Sequence, residues 1–315
     1  ILGFDEIEVS QKDAKCQLAE KWVEKTVTDS ELQVSEDDTQ IHIKGREFAY
    51  TIDRRTALFT EMKFAGREYL NHPMELNIWR APTDNDMYIK SEWKKAYYDK
   101  AYTRAYTTEV VQGKHGVKIT SHASVVAETV QKILDVTITW KIEAAGKIDA
   151  DIAVTKDDEF PDLPRFGVRM FLDKKLSAAR YFGMGPQESY CDKHQAASHG
   201  LYHANVDDLH EDYIRPQENG SHYDCEYVEL NNSRYGIVAS AEKAFSFNAS
   251  YYTQEELEKK THNYELIESD SVVFCVDYAL NGIGSNSCGP VVLDQYRFDD
   301  VLFRFQFTLI PYVKG

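Results

Sequence analysis

Nowhere does this chain of 315 residues run for about 18 residues without a polar side chain, the length an apolar helix needs to cross a bilayer, so no helical membrane span is expected. The opening stretch, Ile1-Leu-Gly-Phe-Asp-Glu-Ile-Glu-Val9, has no basic start and no long apolar run, so it is not expected to be a secretion signal. An initiator methionine is missing too, so a chain cut from something longer, or a processed product, is the simplest expectation. Cysteine is sparse. Cys16, Cys191, Cys225, Cys275 and Cys288 are odd in number and show no CxxC spacing, which argues against a disulfide framework and a structural zinc site. Reduced thiols and a cytoplasmic location are expected. The acceptor-like triplets at Asn219, Asn231 and Asn248 are then read as chance. Positive charge is also short: 36 Lys and Arg against 52 Asp and Glu leave a net charge of −16. Such a chain repels phosphate backbones, so nucleic acid and anionic membrane surfaces are poor partners, and neither is expected. No Gly-x-Ser-x-Gly elbow marks a nucleophilic serine.

Hydrophobic residues at 43% and aromatics at 12% place the chain among globular proteins. The length allows one large β domain or two ordinary ones. Alternation with period two dominates. Leu134, Val136, Ile138, Trp140 and Ile142 share one face of a strand, and Asp135, Thr137, Thr139 and Lys141 share the other. Ala144-Ala-Gly-Lys147 turns the chain, and Ile148, Ala150, Ile152 and Val154 repeat the pattern, which reads as an antiparallel hairpin. Val301, Phe303, Phe305, Phe307 and Leu309 alternate near the end, and further strands are expected at residues 41–43, 48–52, 117–120, 236–240 and 272–277. Helical signals are few. Thr253-Gln-Glu-Glu256 has capping-box spacing and opens a short helix to about Lys260, and residues 91–98 suggest another. A (β/α)8 barrel needs about 250 residues of alternating strand and helix, so no barrel is expected here. The predicted fold is all-β: one large antiparallel supersandwich. Residues 1–11 read as the last strand of a preceding small sandwich, 12–30 as a linker, and 31–315 as the supersandwich, with the polar, acidic character of the linker running on to about residue 40.

Several segments have the residue types that chemistry uses. In Asn77-Ile-Trp-Arg-Ala-Pro-Thr-Asp-Asn-Asp86, Pro82 fixes φ and the Asp and Asn side chains fold back on the backbone, so a rigid turn is expected. A carboxylate cluster for sugar hydroxyls or a cation is the alternative, without a third ligand at a suitable spacing. Gly183-Met-Gly-Pro-Gln-Glu-Ser-Tyr190 has glycines and a proline that permit an unusual backbone after a strand at residues 179–182. Glu188 there is expected to bond loop amides. His194, His199, His203, His210 and His222, mixed with acids, are read as solvated loop histidines rather than a metal site. Gly282-Ile-Gly-Ser-Asn-Ser-Cys-Gly-Pro290 reads as a surface loop, either a connector or a polar rim for a sugar; Cys288 has no neighbouring His or Lys to activate it. Trp22, Trp79, Trp93 and Trp140 are too far apart in sequence for a stacking platform, and Trp140 belongs to the core.

These three motifs, with Arg215-Pro-Gln-Glu-Asn-Gly220 and Thr261-His-Asn-Tyr-Glu-Leu266, stand in an order and spacing that resemble the C-terminal domain of the large β-galactosidases of glycoside hydrolase family two. The resemblance covers residues 31–313. It implies a galactose mutarotase-like supersandwich that lines the active site with loops but lacks the two barrel glutamates of the retaining hydrolysis. Catalytic residues and cofactors are therefore expected to be absent from this chain, with magnesium and sodium held by the barrel domain. The pocket loops it implies contain Arg80, Asp84, Asn85, Asp86, Ser285, Asn286 and Cys288, and residues 84–93 resemble a mobile loop that closes over substrate. Some relatives place a stacking tryptophan where Cys288 falls; a thiol cannot stack. The implied partners are a β-galactoside sugar and the remainder of the enzyme, with homo-oligomers when complete. Two other readings stay open: an independent carbohydrate-binding sandwich, and an aldose-1-epimerase-like enzyme using His194, His199 and Glu188.

Overall fold

The computed structural model describes residues 32–129, 132–284 and 291–314. Two antiparallel sheets account for most of it. The first has five strands in sequence order: β1 (Gln33–Glu36), β2 (Gln40–Lys44), β3 (Phe48–Asp53), β4 (Leu58–Phe64) and β5 (Arg67–Glu68). The second has twelve strands: β6 (Leu70–Asn77), β7 (Tyr102–Gln112), β8 (Gly116–Val126), β9 (Leu134–Glu143), β10 (Ile148–Lys156), β11 (Arg165–Asp173), β12 (Ala178–Gly185), β13 (Ser198–Asn205), β14 (Ser221–Asn231), β15 (Tyr235–Ser250), β16 (Ser271–Leu280) and β17 (Leu302–Val313). Its main path runs β13-β12-β14-β15-β17-β10-β9-β8-β7, and β16, β11 and β6 branch from β15. Two short helices, α1 (Ile89–Lys95) and α2 (Gln254–Lys259), sit in connections. The fold is all-β and antiparallel, as the alternation predicts.

The core lies where the small sheet covers the large one. Ile41, Ile43, Tyr50, Ile52, Phe59 and Met62 from the small sheet are buried in the same cluster as Ile138, Trp140, Ile152 and Leu309. The expected hairpin forms in register: Trp140 faces Ala150, and Ile138 faces Ile152. At the first of these pairs, large opposite small is the complementarity a close-packed interior needs. Polar tips of aromatic side chains pin the layers together. Tyr50 donates to the carbonyl of Gly146 at 2.7 Å, Trp140 to that of Ala57 at 2.8 Å, and Tyr69 to that of Tyr312 at 2.7 Å. Each is a buried donor satisfied by backbone, so its desolvation is compensated. Gly146 has φ +91°, and a Cβ there would meet Phe48 and Phe64 at 3.0 Å, so the turn of this hairpin needs its glycine.

Local structure departs from expectation in three places. The acidic character does not mark a linker as far as residue 40, because β1 spans Gln33–Glu36. This edge strand has mostly exposed side chains and no apolar face, so period-two alternation cannot reveal it. Asp37 then caps the β1–β2 turn, accepting from Thr39 N at 2.7 Å and Gln40 N at 2.9 Å, and these bonds lower its pKa to about 2. Helix α1 starts and ends earlier than residues 91–98, because Tyr97 adopts φ 58°, and residues Tyr98–Lys100 form a separate 3-10 turn. Helix α2 does follow its signal: Glu256 N donates to Thr253 Oγ1 at 3.1 Å. The strand expected at residues 179–182 runs on through Gly183–Gly185 as the end of β12, and the unusual backbone follows it at the cis Gly185–Pro186 peptide bond. A Cβ on Gly183 would lie 2.3 Å from the Cys225 sulfur, so the glycine allows close strand approach rather than unusual dihedrals. Residues 1–11 and 12–30, expected as a strand and a linker, lie outside the described residues.

Candidate functional site

The loop after β6 begins the site. Trp79 and Trp93 meet edge to face with centroids 6.2 Å apart, but both are buried, so they anchor the loop rather than offer a platform. Trp93 donates to the carbonyl of Asp162 at 2.8 Å, fixing α1. Between these anchors Arg80 is fully buried. Its Nε and Nη2 meet Asp86 at 3.2 and 2.6 Å, its Nη1 meets the Asn281 carbonyl at 2.5 Å, and Nη2 also meets the Gly282 carbonyl at 3.1 Å. Asp86 in turn accepts from Thr83 N at 2.8 Å. The rigid turn expected at Pro82 is therefore held by an ion pair six residues apart, and that pair staples it to the loop after β16.

The other motifs tie into the same knot. Asn85 donates to the Gly284 carbonyl at 2.7 Å. Asp84 and Gln217 bond reciprocally, backbone N to Oε1 at 3.0 Å and Nε2 to Oδ2 at 3.3 Å. Glu218 N donates to the Ala81 carbonyl at 2.9 Å. Glu188 accepts from Gly220 N at 2.8 Å and from the Lys193 ammonium and Tyr213 hydroxyl. It bonds a loop amide as expected. Asp192 accepts from Ile283 N and Gly284 N at 3.0 and 2.8 Å. Four segments far apart in sequence thus converge: polar side chains of three of them bond backbone of the others, and residues 281–284 contribute backbone alone.

Beneath them lies a buried ionic group. Arg165 Nη2 meets Asp277 at 2.6 Å and Nη1 meets Glu218 at 3.2 Å, with all three side chains withdrawn from solvent. Gly167 makes the room: a Cβ there would stand 2.4 Å from an Asp277 oxygen. Burial pushes both carboxyls up, with Arg165 opposing. Burial alone would pull Arg165 down, but the two carboxyls hold it well above its usual value. One cation facing two acids leaves the group either protonated or negative.

These loops surround a cleft of about 720 Å³ lined in part by Thr83, Asn85, Asp192, Glu218, Asn281 and Tyr296. Thr83 Oγ1 is buried without a hydrogen-bond partner and belongs to a residue of this wall. The Cys191 thiol, next to this wall's Asp192, is no nucleophile, since burial, and Asp192 beside it, push its pKa to about 11. Of the residues named from the resemblance, Arg80, Asp84, Asn85 and Asp86 come together here; Ser285, Asn286 and Cys288 lie outside the described residues. Arg80 and Asp86 are spent on each other, and Asn85 holds Gly284. Asp192, Arg165 and Asp277 were not anticipated. A charged residue inside an otherwise apolar strand pattern, as at Arg165 and Asp277, is the signal that was there to read.

The histidines do not form a centre, and among the described residues no group of three or more His, Cys, Asp or Glu is arranged to hold a metal ion. They are also not all solvated. His222 is buried between Tyr181 and Phe247, at 4.5 and 5.1 Å, and burial lowers its pKa to about 4. His210 is largely covered and packs on Tyr252. His199 and His203 stand two pleats apart on strand β13, not on a helix. None of the helices among the described residues is long and apolar enough to cross a membrane.

A family model described as "Beta galactosidase small chain" matches residues 44–309. A β-galactosidase of Actinobacillus pleuropneumoniae is 43% identical over 98% of this chain and 30% of its own length. One of Staphylococcus xylosus is 31% identical over the same shares. The chain thus spans about a third of the length of these relatives. Among solved structures, galactose 1-epimerase from Lactobacillus acidophilus aligns over 92% of this chain and all of its own, at 8% identity and a TM-score of 0.47.

Proposed function

Because the chain belongs to the β-galactosidase small-chain family, we propose that it forms one wall of the galactoside site of a longer glycoside hydrolase. The observation that carries this reading is the convergence of four motif loops on one cleft through mutual side-chain-to-backbone bonds. Such bonding fixes loop positions to within the tolerance that orienting a substrate requires. The wall supplies binding and exclusion of water. Hydrolysis with retention, by two carboxyl groups about 5 Å apart, belongs to a barrel domain outside this chain. Magnesium and sodium belong there too. Between the buried anchors Asp86 and Trp93, Met87 and Tyr88 are exposed, and this tip is the part able to close over substrate.

The test is hydrolysis of a chromogenic β-galactoside by this chain alone and mixed with the preceding portion of its enzyme. No turnover alone and turnover on mixing is the expected result. Turnover by the chain alone, persisting through removal of host enzyme, overturns the reading.

A further inference from the structure

Strand β15 changes partners midway, and the sheet opens there. Its first half pairs with β17 as far as Ser240 and Thr308, and its second half pairs with β16 from Ser246 and Asp277 onward. Its register with β14 also skips, from Tyr227–Ser240 to Cys225–Phe245. Residues 241–244 fall between these registers, and β16 and β17 diverge on either side of them. The fork so formed encloses a second cleft of about 500 Å³.

Its chemistry is amphipathic. Tyr278 lies in the wall, its ring held by Phe303 at 4.9 Å, Phe298 at 5.9 Å and Phe305 at 6.0 Å. Tyr223, half-buried, lines the cleft as well. Polar reach comes from Asp224, Glu242 and Gln306. Arg304 is engaged by Asp151 at 2.6 Å and Arg297 by Asp162 at 2.8 Å, and the third cation of the wall, Lys243, is outnumbered by Asp224, Glu242 and Asp300. No excess of free positive charge remains to hold a phosphate, and a wholly apolar ligand would bury the acids without partners. A pyranose suits the remainder. Its C–H faces pack on fixed aromatic rings, and its hydroxyls meet planar carboxylates and amides. Tyr296 and Arg297 line both this fork and the loop-lined cleft, so the two are contiguous.

We propose that the fork is a saccharide subsite, which takes the distal sugars of a β-galactosyl oligosaccharide whose terminal residue lies in the loop-lined cleft. The direction of that chain rests on the wall reading above; the presence of a sugar site in the fork does not. Ala244, exposed in the bulge and lining the cleft, is the place to block it, because Ala244→Trp fills space without removing a core side chain. Titration calorimetry of the full chain with a β-galactosyl tetrasaccharide is compared between parent and variant. Binding weakened about tenfold or more is expected, from the loss of a sugar's contact with a fixed aromatic wall. Tyr223→Ala, at a half-buried position, is the second variant and is expected to weaken binding in the same direction. Equal binding by parent and both variants, or no binding by the parent at about 10 mM sugar, overturns the proposal. In the reassembled enzyme, Ala244→Trp is expected to raise KM for the tetrasaccharide and leave KM for a chromogenic monogalactoside unchanged. Absent turnover in the parent mixture, with fork binding intact and sensitive to Ala244→Trp, overturns the wall reading while the sugar site stands.

Discussion

Replacing Arg80 by methionine tests the staple at the heart of the site. The guanidinium makes four bonds, two to Asp86 and one each to the carbonyls of Asn281 and Gly282. Without it, Asp86 keeps only Thr83 N as a partner among those bonds, at 4% side-chain exposure. Removing one member of a buried pair costs about 3–5 kcal/mol, because the other charge stays buried and uncompensated. At roughly 2–4 °C per kcal/mol for a domain of this order of size, the melting temperature should fall by about 10 °C. Differential scanning fluorimetry on Arg80→Met, Asp86→Leu and the double variant reads both the size and the cause. If the stranded carboxylate dominates the loss, the double variant melts well above Arg80→Met, since an apolar pair of similar volume replaces an ion pair at little cost. A single variant within about 2 °C of the parent refutes the staple. A double variant that loses the sum of both single losses shows that the bonds to Asn281 and Gly282, rather than the ion pair, do the holding.

His222 makes acid stability a second test. Its pKa of about 4 in the folded chain lies below the unfolded value of 6.5, so the unfolded state binds the extra proton first. The stability this gives is complete above pH 6.5 and is lost as pH falls toward 4; at pH 5 the loss is about 2 kcal/mol. His222→Phe, which keeps the ring between Tyr181 and Phe247, should flatten chemical-denaturation stability between pH 6.5 and 4, and an unchanged slope would sink the assignment. Gly183→Ala should destabilise by about 1–3 kcal/mol, because its Cβ would stand 2.3 Å from Cys225 Sγ and 2.9 Å from Cys225 Cα. Adding Cys225→Ala should recover only part of that, since the backbone contact remains; full recovery in urea unfolding would contradict the geometry.

Much of the fold was open to reading because burial imprints a period. The β9–β10 hairpin buries Val136, Ile138, Trp140, Ile148 and Ile152 on one face, and β17 buries Phe303, Phe305, Phe307 and Leu309. Most of the residues between them are polar and exposed or half-exposed. Strand β1 has no buried face, and it went unread for that reason. Helix α1 was misplaced because its end is set by one residue, Tyr97, whose positive φ no side-chain pattern announces. At the site, Arg80 and Asp86 were legible as neighbours on either side of a proline turn. Their partners were not. Asn281 and Gly282 join them across some 200 positions of sequence, and single-sequence spacing says nothing about contacts of that range. Glu188 was read correctly because a carboxylate followed at a distance by glycine-rich loops has amides to satisfy.

The site's reliance on buried charge follows from what it has to face. Loops that line an open, polar cleft cannot anchor themselves by turning apolar side chains into that cleft. They must be held from behind, and what they present to the rear is backbone: the Asn281, Gly282 and Ala81 carbonyls and the Gly220, Ile283 and Gly284 amides. An apolar residue satisfies none of these groups. Arg80 serves two carbonyls and an acid at once because its donors are fixed in a planar fork, which a lysine lacks. Asp192 serves two successive amides in the same manner from the opposite sign. The cost is an unequal charge count beneath the cleft, where Arg165 faces Glu218 and Asp277 together. A neutral substitute for either acid should therefore be tolerated better than a substitute for Arg165. Glu218→Gln keeps a hydrogen-bonding partner for the guanidinium and relieves the excess acid, whereas Arg165→Met strands two carboxyls. Comparing their melting temperatures orders the two losses, and an order opposite to this would show that the negative charge at Glu218 is itself required by the fold.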